Sequence, residues 1–162
     1  MNQGFVNVNL FICILKERLN DNFLQNWNSE LIESLRVRTY VLFCIFRLQP
    51  YLTCMMLEKF RISLSRLRMS SHRLKVDGRW QKPTAISFNE RKCTLCLKLE
   101  DEFHFLLECS LYKDLRNKYV KKYSWKNTNM LKFIELTTSE NETVITKLSM
   151  FINKSFDLRI NL

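Results

Sequence analysis

The stretch RKCTLCLKLEDEFHFLLECSLY, residues 91–112, gathers three of the chain's six cysteines and one of its two histidines within 17 positions. Its spacing is Cys93-x2-Cys96-x7-His104-x4-Cys109. A two-residue gap lets both thiolates of a tight turn face one ion, and zinc takes four soft or borderline ligands in a tetrahedron. The spacing therefore predicts a zinc site built from Cys93, Cys96, His104 and Cys109. Four protein ligands leave no open coordination position, which makes the site structural and not a generator of hydroxide. One feature resists this reading. Five residues separate His104 from Cys109, an offset that is not a same-face spacing on a helix of about 3.6 residues per turn. Cys109 is accordingly expected where that helix ends, at Ser110. The other cysteines, Cys13, Cys44 and Cys54, each stand alone in an apolar run and read as buried core thiols.

Outward from this cluster, the periodicity is helical. Upstream, Leu57, Phe60, Leu64 and Leu67 recur at intervals of three and four, tracing the inner face of a helix from about Thr53 to Met69. Arg61, Ser65, Arg68 and His72 follow the same spacing on the opposite, polar face. Earlier apolar recurrences favour helices from Phe5 to Leu19 and from Asn28 to Leu48, the second closed by Pro50. Asp77-Gly78 is a turn signal, and the flanking runs Leu74-Lys75-Val76 and Ile86-Ser87-Phe88 suit a small hairpin. Glu100–Glu108 reads as a helix with acids in its first turn, where the macrodipole favours them. Ser110 suits a cap for a helix through Tyr123 with Leu111, Leu115 and Tyr119 on one side. A short helix is expected from Thr128 to Leu136. Ser139–Glu142 reads as a capping box for a last helix to about Phe156. The fold class is mainly α: a helical domain with a small zinc knuckle and a short β-hairpin. Its expected parts are an N-terminal helical segment (1–52), a basic helix and turn region (53–90), the zinc-binding domain (91–126) and C-terminal helices (127–162).

Composition agrees with a chain that can bury a core: 46% of its 162 residues are apolar, and two glycines and two prolines leave little punctuation for a many-stranded fold. The net charge of +10 is unevenly spread. Residues 61–92 carry nine Lys/Arg against two acids, whereas 1–60 carry six against five and 93–162 eleven against nine. A concentrated positive segment usually meets phosphates or an acidic surface, and otherwise is a solvated basic face. The N-terminus has no basic region of a signal peptide, and the apolar run from Tyr40 is broken by Arg47, Gln49 and Pro50, short of the ~20 residues of a membrane span. These features predict an intracellular protein, in cytoplasm or nucleus, with reduced thiols and no membrane partner. No nucleophile and base are suggested by spacing, and the paired cysteines do not follow the His-x-Glu of zinc deaminases.

The segments FRISLSRLRMSSHRLKVDGRW, ERKCTLC and EDEFHFLLECSLYKDLRNKY together resemble the C-terminal region of reverse transcriptases of LINE-type (non-LTR) retrotransposons, including the zinc-binding domain that follows the polymerase. The likeness covers about residues 27–123. In that family an arginine-rich helix ends in Ser-His-x-Leu, a Gly-Arg-aromatic step follows, and a last cysteine precedes a Tyr-x-x-Leu-Arg helix. The resemblance implies that Cys93, Cys96, His104 and Cys109 are zinc ligands. It also implies that Arg61, Arg66, Arg68, His72 and Arg73 lie in a nucleic-acid-facing segment, which Lys75 and Arg79 extend. Two positions depart from the pattern: Ser110 stands where proline is common, and Leu97 where a small or turn-forming residue is usual. The aromatic-Ala-Asp-Asp palm motif is absent, so the expected role is a zinc-stabilised module that binds RNA or DNA through phosphates, without polymerase activity. Tyr112, Tyr119, Tyr123 and Trp125, interleaved with Lys113, Lys118, Lys121, Lys122 and Lys126, could add stacking, although amphipathic helices more often bury such aromatics. The alternatives are a zinc-stabilised protein-interaction scaffold and a decayed transposon fragment.

Overall fold

The computed structural model describes residues 8–34, 39–42, 44, 46–72, 74–77 and 87–160. The chain divides into two compact units, Met1–Leu35 and Arg36–Leu162. In the first, a single helix α1 runs over Val8–Glu33 where the sequence suggested two, and it buries none of its residues. Cys13, expected in a core, is exposed there.

The second unit is helical, and no strand forms among its described residues. Pro50 opens a helix instead of closing one: its fixed φ and missing N–H suit the first helical position of α2, Pro50–Thr53. The basic helix is shorter than expected, α3 covering Glu58–Arg68 with Glu58 in its first turn and Arg66 and Arg68 in its last. Leu57 falls outside it as the N-terminal flanking residue and is exposed, while Phe60, Leu64 and Leu67 are buried as the periodicity implied. Downstream lie α4 (Lys113–Tyr119), α5 (Lys122–Trp125), α6 (Met130–Thr138) and α7 (Glu142–Ile160). Asn129 caps α6 by accepting from the Lys132 N–H at 2.9 Å. Asn141, not Ser139, caps α7, its carboxamide oxygen accepting from the N–H groups of Thr143 and Val144 at 3.0 and 3.2 Å.

Helices α3 and α4 both pack on α7, and one apolar core links residues from Tyr51 to Ile152. Phe105 sits at its centre, 1% exposed, its ring 4.8 Å edge-on from Tyr112 and 4.8 Å stacked on Phe156. Of the hairpin expected around Asp77-Gly78, Lys75–Asp77 and Phe88–Glu90 are single 3₁₀ turns, and Gly78 and Ile86 lie outside the described residues.

Helix α3 ends in a way that corrects the sequence reading. Ser70 takes a left-handed φ of 47°, and the Ser71 and Ser70 N–H groups bond back to the carbonyls of Arg66 and Leu67. This closing motif satisfies the last carbonyls and turns the chain off the helical face. His72 is therefore not on the polar side with Arg61; it is redirected inward and is 3% exposed. Arg68 is also inward, at 4% exposure. Its guanidinium donates to the Thr137 carbonyl and to Gln49 Oε1 at 2.8 Å, and lies 5.1 Å from the Tyr51 ring centre. Arg68 thus ties α3 to the end of α6. Arg68→Ala is expected to lower stability by about 2–4 kcal/mol in urea denaturation, because it strands buried acceptors. Arg61→Ala, at a half-buried arginine, should cost no more than about 1 kcal/mol.

Candidate metal centre

The metal-ligand candidates occupy a loop and a distorted helical turn. Lys92 and Leu99 pair in an antiparallel bridge, and Cys93 N–H donates to the Lys98 carbonyl at 2.7 Å, closing a narrow loop. Leu97 N–H returns to the Cys93 carbonyl at 2.9 Å, so Cys93 and Cys96 flank one tight turn. Leu97 makes that turn with a left-handed φ of 57°. A branched residue adopts this conformation at a cost of roughly 1–2 kcal/mol, which is why a smaller residue is expected there.

The second half of the site resolves the five-residue misfit. His104–Glu108 forms a π-helical turn, and the Cys109 N–H donates to the His104 carbonyl at 2.8 Å, an i→i+5 bond. In α-helical geometry His104 and Cys109 would stand about 140° apart around the axis; the wider π-helical turn, closed by the i→i+5 bond, brings them closer to one face. Asp101 starts the turn by accepting from the His104 N–H at 2.8 Å. Arg116, 2% exposed, finishes it. Its Nε donates to the Leu106 carbonyl at 2.7 Å and its Nη2 to the Cys109 carbonyl at 2.9 Å, partnering groups that the end of the turn leaves open. Leu111, Leu115 and Tyr119, read from sequence as one side of the helix, are half-buried and pack against the core, while Tyr112 and Arg116, four apart, are fully buried beside them.

The ligand atoms of Cys93, Cys96, His104 and Cys109 all lie within 4.8 Å of one another, so the four can hold a metal ion. Cys109 Sγ is 3.9 Å from Cys93 Sγ and 3.8 Å from Cys96 Sγ. Two sulfurs bonded at about 2.3 Å to a tetrahedral ion lie about 3.8 Å apart, whereas a disulfide would require about 2.05 Å. Both ring nitrogens of His104 are buried and lack a hydrogen-bond partner within the chain. Nδ1 lies 3.5 Å from Glu108 Oε2, too long for a good hydrogen bond. An unpartnered imidazole beside three thiols is a costly arrangement unless the cluster has a further occupant.

The thiols differ in their electrostatics. The Ser110 hydroxyl, 3.3 Å from Cys96 Sγ, holds the Cys96 thiol below its ordinary value. Burial pushes Cys109 up to about 12. A cation among the sulfurs would offset that cost, since coordination favours the thiolate. Ser110, read from sequence as a helix cap, thus faces a ligand instead.

Buried carboxylates join this site to the rest of the unit. Glu102, 5% exposed, accepts from the Ser70 hydroxyl at 2.7 Å and pairs with His72 Nε2 at 2.8 Å. His72 Nδ1 accepts from the Leu74 N–H at 3.2 Å, which leaves Nε2 to carry the proton toward Glu102. Burial pushes the Glu102 carboxyl up, but the hydrogen bonds from His72 and from the Ser70 hydroxyl outweigh it, and the net position is lowered. Glu100, 3% exposed, takes two bonds from the Arg159 guanidinium and one from the Lys75 N–H at 3.1 Å. The acidic run that might have suggested chemistry is occupied in holding three segments together.

The residues expected to face nucleic acid are dispersed. Arg66 is exposed; Arg61 donates to the Cys54 carbonyl at 3.0 Å; Lys75 Nζ donates to the Lys92 carbonyl at 2.7 Å. Arg68 and His72 are buried, which corrects their assignment to a solvent-facing surface. Arg73 and Arg79 lie outside the described residues. No helix among the described residues is long and apolar enough to cross a membrane. Comparison with known protein families, characterised proteins and solved structures finds no match to the chain.

The Leu97 backbone yields a prediction. Its side chain is 72% exposed, so little packing is lost on its removal. Leu97→Gly is expected to raise stability by about 0.5–1 kcal/mol in thermal or urea melts, relief of the left-handed φ exceeding the added chain entropy. A loss of stability on this change would show that the turn is held differently.

Proposed function

We propose that the chain is a zinc-stabilised nucleic-acid-binding module, similar to the C-terminal zinc-binding region of LINE-type reverse transcriptases and without polymerase activity. The observation that carries the zinc reading is the closed set of three thiols and one imidazole within 4.8 Å. Soft thiolates with imidazole in a tetrahedral arrangement suit zinc. Cys93, Cys96, His104 and Cys109 would hold the ion through three sulfurs and one imidazole nitrogen. Bound there, zinc supplies shape and not a reactive water, because the chain fills all four positions.

A non-catalytic role is supported by the engagement of the acidic run beside the site: Glu100 and Glu102 are buried in bonds to Arg159, Ser70 and His72, and Asp101 caps the His104 turn. The nucleic-acid reading is supported by the charge of +10 and by the exposure of Arg66 in the basic segment.

Metal analysis of protein purified without added zinc is expected to give one zinc per chain. Cys93→Ser and Cys109→Ser should each lose the metal and the cooperative melt of the second unit; metal-free protein that folds normally would remove the site. Binding to RNA or DNA should weaken steeply between low and physiological salt, and an affinity indifferent to salt would refute phosphate-directed binding.

A further inference from the structure

Residues 113–132 carry seven Lys/Arg against one acid, a concentration hidden when 93–162 is counted whole because acids flank it on both sides. The fold gives this segment a shape. Between the chain from Asn117 to Ser124, which joins α4 to α5, and the first turns of α7 lies an open cleft of about 290 Å³. Lys118, Lys121, Lys122 and Lys147 line it, and all four are exposed.

These four lysines share one concavity, and their charge is not used internally. Elsewhere, Lys98 pairs with Glu108, Arg47 with Glu140 and Arg159 with Glu100, while Arg116 and Lys132 serve carbonyls. Among the described residues no hydrogen bond or ion pair engages the ammonium groups of Lys121, Lys122 or Lys147, and Lys118 Nζ only approaches the Tyr119 ring, at 5.5 Å. Four like charges around one concavity repel one another unless an anion enters. The larger hollow lined by Arg66 and Asn153 is a weaker candidate, since Asp157 lines it and its Arg159 is bound to Glu100.

We propose that this lysine cleft seats the phosphodiester backbone of a single-stranded nucleic acid. The assignment rests on the nucleic-acid reading above and places the principal contact here, away from the 61–92 segment on which the sequence pointed. The cleft is near the lower limit for drug-sized ligands, roughly 300 Å³, which suits a phosphate with its sugar. Tyr119, half-buried, lines the cleft, and an aromatic side chain among lysines favours a nucleic acid over an acidic peptide.

The test uses the full chain and a short labelled single-stranded RNA, with anisotropy read across a salt series. The triple variant Lys121→Gln, Lys122→Gln, Lys147→Gln should lose about tenfold or more in affinity, and its slope of log affinity against log salt should become shallower by about two. Arg66→Gln, on the other hollow, should change affinity less than the triple variant, and metal content and melting should be unchanged in both. If the parent chain binds RNA and the triple variant binds equally well with the same slope, the cleft assignment fails while the nucleic-acid reading stands. If the parent chain does not bind RNA at all, that reading fails and the cleft assignment with it. Equal or tighter binding of a polyglutamate peptide through the same lysines would overturn the choice of partner.

Discussion

The five-residue separation of His104 and Cys109 is the constraint on which the rest of this fold depends. An α-helix would place the two side chains on different faces, and a loop would leave the buried backbone of Phe105, Leu106 and Leu107 without partners. The π-helical turn meets both demands: it keeps the backbone bonded through the 2.8 Å contact from Cys109 N–H to the His104 carbonyl and brings imidazole and thiol together. Such turns are rare and tend to occur at functional sites. Here its cost is offset from both ends, by Asp101 at the first N–H and by Arg116 at the last carbonyls. The same turn carries Phe105 into the centre of the core, so ligand geometry and core packing are set by one piece of backbone.

Around that turn the charged residues do structural work. Glu102 binds the end of α3 through Ser70 and His72, and Glu100 binds α7 through Arg159, so the knuckle is linked on one side to the basic helix and on the other to the C-terminal helix. The Glu100–Arg159 ion pair adds little net stability compared with apolar packing, but removing one partner leaves an uncompensated charge and is costly. These contacts fix which segments meet the Cys93–Cys96 loop. The consequence for function is that a positive charge in the sequence is not the same as a positive surface. Arg68 and Arg116 are core residues, whereas the lysines near α4, α5 and α7 remain available.

Much of this was legible in the sequence. The Cys93, Cys96, His104 and Cys109 spacing named the four donors that the fold brings together, and the three–four periodicity of Phe60, Leu64 and Leu67 gave the buried face of α3. What the sequence concealed has physical causes. His72 lies on the polar stripe only if α3 continues past Met69; a serine in the left-handed conformation ends it, and no glycine marks that stop. Arg116 looks like a surface charge until the turn before it exposes two carbonyls that only a long forked donor can reach. Asn141 was overlooked because Ser139 and Glu142 fit a capping box that starts two residues earlier. Three lysines of the cleft, Lys118, Lys121 and Lys122, stand in the run the sequence singled out; the concavity itself and the contribution of Lys147 come only from the packing of α7 beside that run.

Whether the widened turn serves a Cys3His metal site, as proposed, is tested most directly by X-ray absorption at the zinc edge on protein purified without added metal. The account predicts a shell of three sulfurs at about 2.3 Å and one nitrogen at about 2.0 Å. A shell of oxygen and nitrogen alone, or one with two sulfurs or fewer in folded protein, would contradict it.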